Sequence, residues 1–165
     1  MDSQLDMQDM KKLFILLLLI IAINTQGQNN YMNNDEIQSF LDSMIVHKDQ
    51  FVGKTMGVIY NLFDQARLPM RYFSIGETSP WIDSEGKSFL TDVILYSETL
   101  EDMNDGKEYY DIRFELDIPK IDAGAFYRSL PTDSYSIWWN AFKQRTMDMP
   151  IKDIRYFRDI MPMHF

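Results

Sequence analysis

Phe89–Ile118, FLTDVILYSETLEDMNDGKEYYDIRFELDI, is the stretch that decides the fold of this chain. Its second half sets Tyr110, Ile112, Phe114, Leu116 and Ile118 in alternation with Asp111, Arg113, Glu115 and Asp117. Successive side chains of a strand point to opposite faces, so a period of two marks a strand with one face in the core and the other toward water. The first half, Phe89 to Ser97, contains Val93-Ile94-Leu95-Tyr96, apolar on both pleat faces, as expected of a central strand. Asn104-Asp105-Gly106 between them is turn chemistry, so residues 89–118 predict an antiparallel hairpin, ended by Pro119.

On the N-terminal side, Met70 to Ile75 reads as a strand and Gly76 to Lys87 (GETSPWIDSEGK) as a loop rich in turn residues. Two helices precede them. Asn34 caps the first, Asp35 and Glu36 complement its dipole, and Ile37, Phe40, Leu41, Met44 and Ile45 form its apolar face up to about Lys48. Thr55 caps the second, whose face is Val58, Ile59, Leu62, Phe63 and Ala66 and which Pro69 stops.

On the C-terminal side a helical piece spans Ala123 to Leu130, and Tyr135, Trp138, Trp139 and Phe142 repeat at i, i+3, i+4, i+7, which predicts a longer helix. The tail fits two periods: Ile151, Ile154, Phe157 and Met161 suit a helix, Ile154 and Tyr156 a short edge strand. The expected fold is α+β: an antiparallel sheet of three to four strands, hairpin at its centre, with two N-terminal helices and a later Trp-bearing helix on one face.

The beginning of the chain predicts where the protein works. Met10-Lys11-Lys12, the apolar run Leu13 to Ile23, and Thr25 and Gly27 before Gln28 make the three parts of a secretory signal peptide, residues 1–27, cleaved near Gly27/Gln28. The run spans about 16 Å as a helix, against about 30 Å of hydrocarbon, so it is too short for a stable membrane span. Asp2, Asp6 and Asp9 carry the wrong charge for an n-region, which places the translation start at Met7 or Met10. Residues 28–34 read as a flexible leader and residues 35–165 as one domain. The Lys-Lys start, long Leu/Ile run and Gln-Gly-Gln end resemble signal peptides of Bacteroidota. That likeness covers about the first 30 residues and implies a Gram-negative periplasm.

The chain has 16 Lys and Arg against 25 Asp and Glu, a net charge of −9; removing three Asp and two Lys with the signal peptide leaves 14 − 22 = −8. A phosphate-binding surface needs a clustered basic face, so nucleic acid is an unsuitable partner, while a basic protein would be steered in. There is no Cys, so stability must come from packing, to which 11 Phe, 9 Tyr and 3 Trp contribute.

No motif assigns a catalytic residue, a cofactor or a metal. Gly53-Lys54-Thr55 has the end of a phosphate-binding loop but Lys48 where its first glycine belongs. Asp102-Met103-Asn104-Asp105-Gly106 is one residue short of a calcium loop, and His47 and His164 lack metal-ligand spacing. Glu77, Asp83, Glu85, Glu98, Glu101 and Asp102 are loop carboxylates from which a hydrolase could draw a pair.

The candidate binding surface is therefore aromatic: Trp81 in its loop and Tyr135, Trp138 and Trp139 on the helix, residues that either stack on sugars or anchor a protein interface. A core face is the competing assignment for the helical three. The expected function is a non-catalytic periplasmic interaction module, such as an inhibitor or immunity protein. Glycan binding and a small carboxylate hydrolase are the alternatives.

Overall fold

The computed structural model describes residues 31–78 and 86–159. The expected signal peptide (residues 1–27), Trp81, Asp83, Glu85, Met161 and His164 lie outside them. In chain order the elements are α1 (Asn34–Val46), one 3-10 turn (Lys48–Gln50), α2 (Met56–Ala66), β1 (Tyr72–Glu77) and β2 (Leu90–Tyr96). They continue with α3 (Leu100–Asn104), β3 (Tyr109–Leu116), α4 (Ala123–Arg128), α5 (Tyr135–Thr146) and β4 (Ile151–Asp159). The strands form one antiparallel sheet in the order β1-β2-β3-β4, an α+β fold with the predicted hairpin at its centre.

Cross-strand partners share a sheet face. The pairs Phe73↔Leu95, Ile75↔Val93, Leu95↔Ile112, Val93↔Phe114 and Phe114↔Ile154 therefore make one continuous apolar face. It is buried under Ile37, Phe40, Leu41 and Met44 of α1 and Ile59, Phe63 and Ala66 of α2. Phe63 links the layers, its ring 6.0 Å from Phe40 and 6.0 Å from Phe114. The opposite face carries Asp92, Ile94 and Tyr96 against Glu115, Arg113 and Asp111.

The helix ends follow their local chemistry. At α1 the cap is Asn33, one residue earlier than expected: its side chain accepts from Glu36 N–H while Glu36 Oε2 accepts from Asn33 N–H, a reciprocal capping box. Within the stretch read as a leader, Met32 is buried and donates its N–H to the Arg67 carbonyl. Thr55 stands at the α2 cap without using its hydroxyl. Met56 and Gly57 donate instead to the Met149 and Met147 carbonyls, which seats the start of α2 on the segment leading into β4.

One expectation changes, and the open choice for the tail resolves to one of its two alternatives. The connection inside the hairpin is not a tight turn at Asn104-Asp105-Gly106 but residues 97–108, which include α3. Thr99 caps α3, Met103 is buried under the second sheet face with Ile94, Tyr96 and Tyr109, and Gly106 leaves the helix at φ +77°. The tail is an edge strand, with Ile154 and Tyr156 toward α1 and Phe157 on the other face. A register shift between Glu115 and Leu116 leaves Lys152 without an opposite residue, and this irregularity hides the period of two in the sequence.

At the matching end of β1, Gly76 faces Asp92, and a Cβ at Gly76 would lie 2.5 Å from Asp92 Oδ2. Gly76→Ala is expected to destabilise the fold by about 1–3 kcal/mol. Gly76→Ala/Asp92→Gly should lose less than the sum of the two single variants, since Asp92 Cβ also lies 2.9 Å from the added atom and only glycine removes both contacts. Urea unfolding of the single and double variants measures this; additive losses would show that the clash is not the cause.

Candidate interaction surface

α5 is the least buried of the long helices. Phe142 and Thr146 are its buried residues, while Trp138 and Trp139 are half-buried against the core. The helix begins at Ser134, whose hydroxyl accepts from Ile137 N–H. Its attachment to the sheet is Phe73 of β1. The Phe73 ring lies 3.8 Å from Phe142, 4.3 Å from Trp138 and 5.0 Å from Trp139 between ring centres. A buried hydrogen bond of 2.6 Å between the Tyr60 and Thr146 hydroxyls fixes the far end of α5 to α2.

The two tryptophans diverge from there. Trp139 turns toward α2, 6.0 Å edge-on to Tyr60, with the Lys143 ammonium 5.2 Å above its ring. Trp138 turns to the edge of the sheet, 6.4 Å from Tyr72 and 6.0 Å from Tyr135. The rings continue around β1 onto the second sheet face, Tyr72 to Tyr96 at 5.6 Å and Tyr96 to Tyr109 at 6.1 Å. Tyr135 and Ile137 crown this row at 44% and 48% exposure, and the Tyr135 hydroxyl donates to the Arg71 carbonyl at 2.6 Å.

This aromatic ledge joins three of the four candidate residues, Tyr135, Trp138 and Trp139; Trp81 lies outside the described residues. Tyr72, Phe73 and Ile137 belong to it as well. The sequence marks Tyr72-Phe73 only as a strand, and nothing in its period shows which helix will cover that edge. Beside the ledge, α4 guards β1: Ile75 N–H donates to the Tyr127 hydroxyl at 3.1 Å, so this edge donor is not open to a further strand. Burial pushes the Tyr135 phenol up to about 12.

Asp111 and Glu115 of β3 and the neighbouring Glu108 are paired with basic side chains rather than gathered into a field for a basic partner. Arg113 grips Asp111 through Nε and Nη2 and stacks 5.1 Å over Phe157, itself 49% exposed. Glu115 takes Lys152 at 2.5 Å and Arg155 at 3.6 Å, and Glu108 takes Arg158 at 2.5 Å. Glu98 lies 3.4 Å from Arg71.

One pair of the predicted loop carboxylates has divergent proton affinities. Burial pushes the Glu98 carboxyl above its ordinary range despite Arg71, and the neighbouring Asp102 adds to the rise. Asp102 is held below its range by Lys107 and the Thr99 hydroxyl. The pair stands at the α3 end of β2, whereas the cavity lined by Phe89, Leu90 and Thr91 opens at the other end of that strand. Among the described residues no group of three or more His, Asp or Glu side chains could hold a metal ion. No family model, curated protein or solved structure matches the chain.

Glu98 supplies a pH test. Its folded proton affinity is raised, so ionised Glu98 costs stability above its folded pKa, and the cost vanishes below the ordinary carboxyl value of 4.5, where both states are protonated. Glu98→Gln should therefore raise the melting temperature at neutral pH, with the gain fading toward pH 4.5 and below. Thermal unfolding across that range reads it; an equal gain at every pH would contradict burial of the charge as the cause.

Proposed function

We propose that this protein is an exported, non-catalytic interaction module that engages a protein partner through the ledge of Tyr72, Tyr135, Ile137 and Trp138. The observation that carries the proposal is the incomplete burial of α5. A helix whose main task is core packing would place its largest rings inside, yet Trp138 and Trp139 remain half-open beside exposed Tyr135 and Ile137. Half-open Trp and Tyr on a fixed backbone, rimmed by Arg71 and Lys143, are the side chains that dominate binding energy where proteins meet. Export rests on Lys11-Lys12, Leu13 to Ile23 and Gly27, and it places the partner in the periplasm or outside the cell. Inhibitors and immunity proteins are the class this describes.

Glycan binding is the second reading, favoured by half-buried Trp138 standing beside exposed Tyr135. A hydrolase has the Glu98–Asp102 pair in its favour, but Arg71, Thr99 and Lys107 account for both carboxyl groups within the α3 turn.

The full chain carrying a C-terminal tag, expressed in its own host, is expected to retain one stoichiometric protein from cell envelope or culture supernatant. Tyr135→Ala/Trp138→Ser should lose that protein while keeping a cooperative thermal transition. Retention of nothing above an untagged control would overturn the proposal. A change in tryptophan fluorescence with polysaccharide in place of a retained protein would establish the glycan reading.

A further inference from the structure

The end of the sheet away from α3 holds a cavity of about 300 Å³ that the ledge does not touch. Its floor is the start of β2 and the end of β3; its apolar walls include Phe89, Ile118 and Pro119, and Glu115, Lys120 and Lys152 stand at its rim. The walls are braced by backbone bonds rather than by loose loops. Leu90 N–H donates to the Ile121 carbonyl at 2.9 Å, Ala123 N–H to Ser88 at 3.0 Å, Asp117 N–H to Pro150 at 2.8 Å, and Phe89 N–H to the Thr78 hydroxyl at 2.9 Å. The register shifts of both β1–β2 and β3–β4 fall at this end, where they open the regular pleat. The space is thus preformed, apolar inside and polar at the mouth, as small-molecule sites are.

The rim charges differ in availability. Lys152 is committed to Glu115 at 2.5 Å, which holds its ammonium above the ordinary lysine range. Lys120 is exposed, sits 4.9 Å over the Phe89 ring, and has no carboxylate partner among the described residues. Two lysines against one glutamate give the rim a charge of 2 − 1 = +1 in a chain of net charge −9. Of the two rim lysines, Lys120 is therefore the one with no carboxylate partner among the described residues, and it stands beside an aromatic wall at the mouth of an apolar space.

We propose that this cavity binds a small amphiphilic anion, with its apolar body against Phe89, Ile118 and Pro119 and its single carboxylate or sulfonate group met by Lys120. The ammonium already rests on the Phe89 ring, so it can bind the anion without leaving the aromatic wall. A neutral ligand of the same shape would gain the burial but not the charge. The site is independent of the protein-partner ledge, and either could fail without the other.

The test titrates the full chain with anilinonaphthalene sulfonate, an aromatic sulfonate, and with phenylnaphthylamine, its neutral counterpart, reading probe fluorescence. The native chain is expected to bind one equivalent of the sulfonate at a saturable site from which octanoate displaces it. Lys120→Glu should weaken sulfonate binding by about tenfold or more, the worth of a charge-assisted contact, and change the neutral probe by under about threefold. Ile118→Trp, which fills the space, should remove both probes from the site. Unchanged sulfonate binding in Lys120→Glu would overturn the proposal, as would retention of both probes by Ile118→Trp with native near-UV circular dichroism. Lys120 is exposed, so its replacement leaves the fold intact and decides the matter even where Ile118→Trp does not fold.

Discussion

Alternation along β3 cannot be satisfied in two directions, and most of the architecture follows from that. Ile112 and Phe114 are fully buried with Val93, Leu95 and Ile154, so α1 and α2 must lie on their side of the sheet. Asp111, Arg113 and Glu115 then face the other way. An unpaired carboxylate at a site as enclosed as Asp111 would cost several kcal/mol. Arg113 answers it with a two-atom grip, and Lys152 and Arg155 answer Glu115 from the neighbouring strand. Where this face would otherwise expose Ile94, Tyr96 and Tyr109, α3 covers them with Met103. One face is thus held by packing and the other by charge pairing plus a small apolar patch, so added salt weakens only the second.

The attachment of α5 follows a different logic. Its rings converge on Phe73, which is fully buried and touches Phe142, Trp138 and Trp139. Aromatic pairs are worth about 0.5–1.5 kcal/mol each beyond their buried area, so a few contacts hold a helix that places little else inside. The Tyr60–Thr146 bond fixes the other end. Because these two anchors suffice, the outer surface of α5 is free to carry Tyr135 and Ile137 into solvent.

The sheet and helices were legible because each has a clean period. The 3.6 spacing of Ile37, Phe40, Leu41 and Met44, and the alternation around Phe114, admit few other structures. Legibility failed where two signals overlapped. Asn104-Asp105-Gly106 is turn chemistry, but the same glycine ends a short helix as readily as it turns a hairpin. In the tail, the unmatched Lys152 breaks the alternation, and a helical period fits the remaining residues equally well. Tyr135, Trp138 and Trp139 could be named as a group but not placed, since a helical stripe reports its own face and not the strand it will meet. Phe73 and Tyr72, which decide that placement, stand more than sixty residues upstream in a segment whose period says only that it is a strand. The cavity at Lys120 had no linear signature, because β2, β3 and the segment before α4 come together there only in the fold.

β3 and β4 are neighbours in the sheet but are separated along the chain by residues 117–150. During synthesis β1, β2 and β3 can pair locally as a meander long before Ile151–Asp159 exists, and closing the large loop to β4 comes last. Until then β3 has a bare edge, Phe114 lacks Ile154, and α2 lacks the Met147 and Met149 carbonyls that receive its first N–H groups. A chain lacking β4 therefore leaves part of the core and the start of α2 without partners. Completion of the core thus waits on one long-range pairing, β3 with β4, whose loop is far longer than those joining β1, β2 and β3.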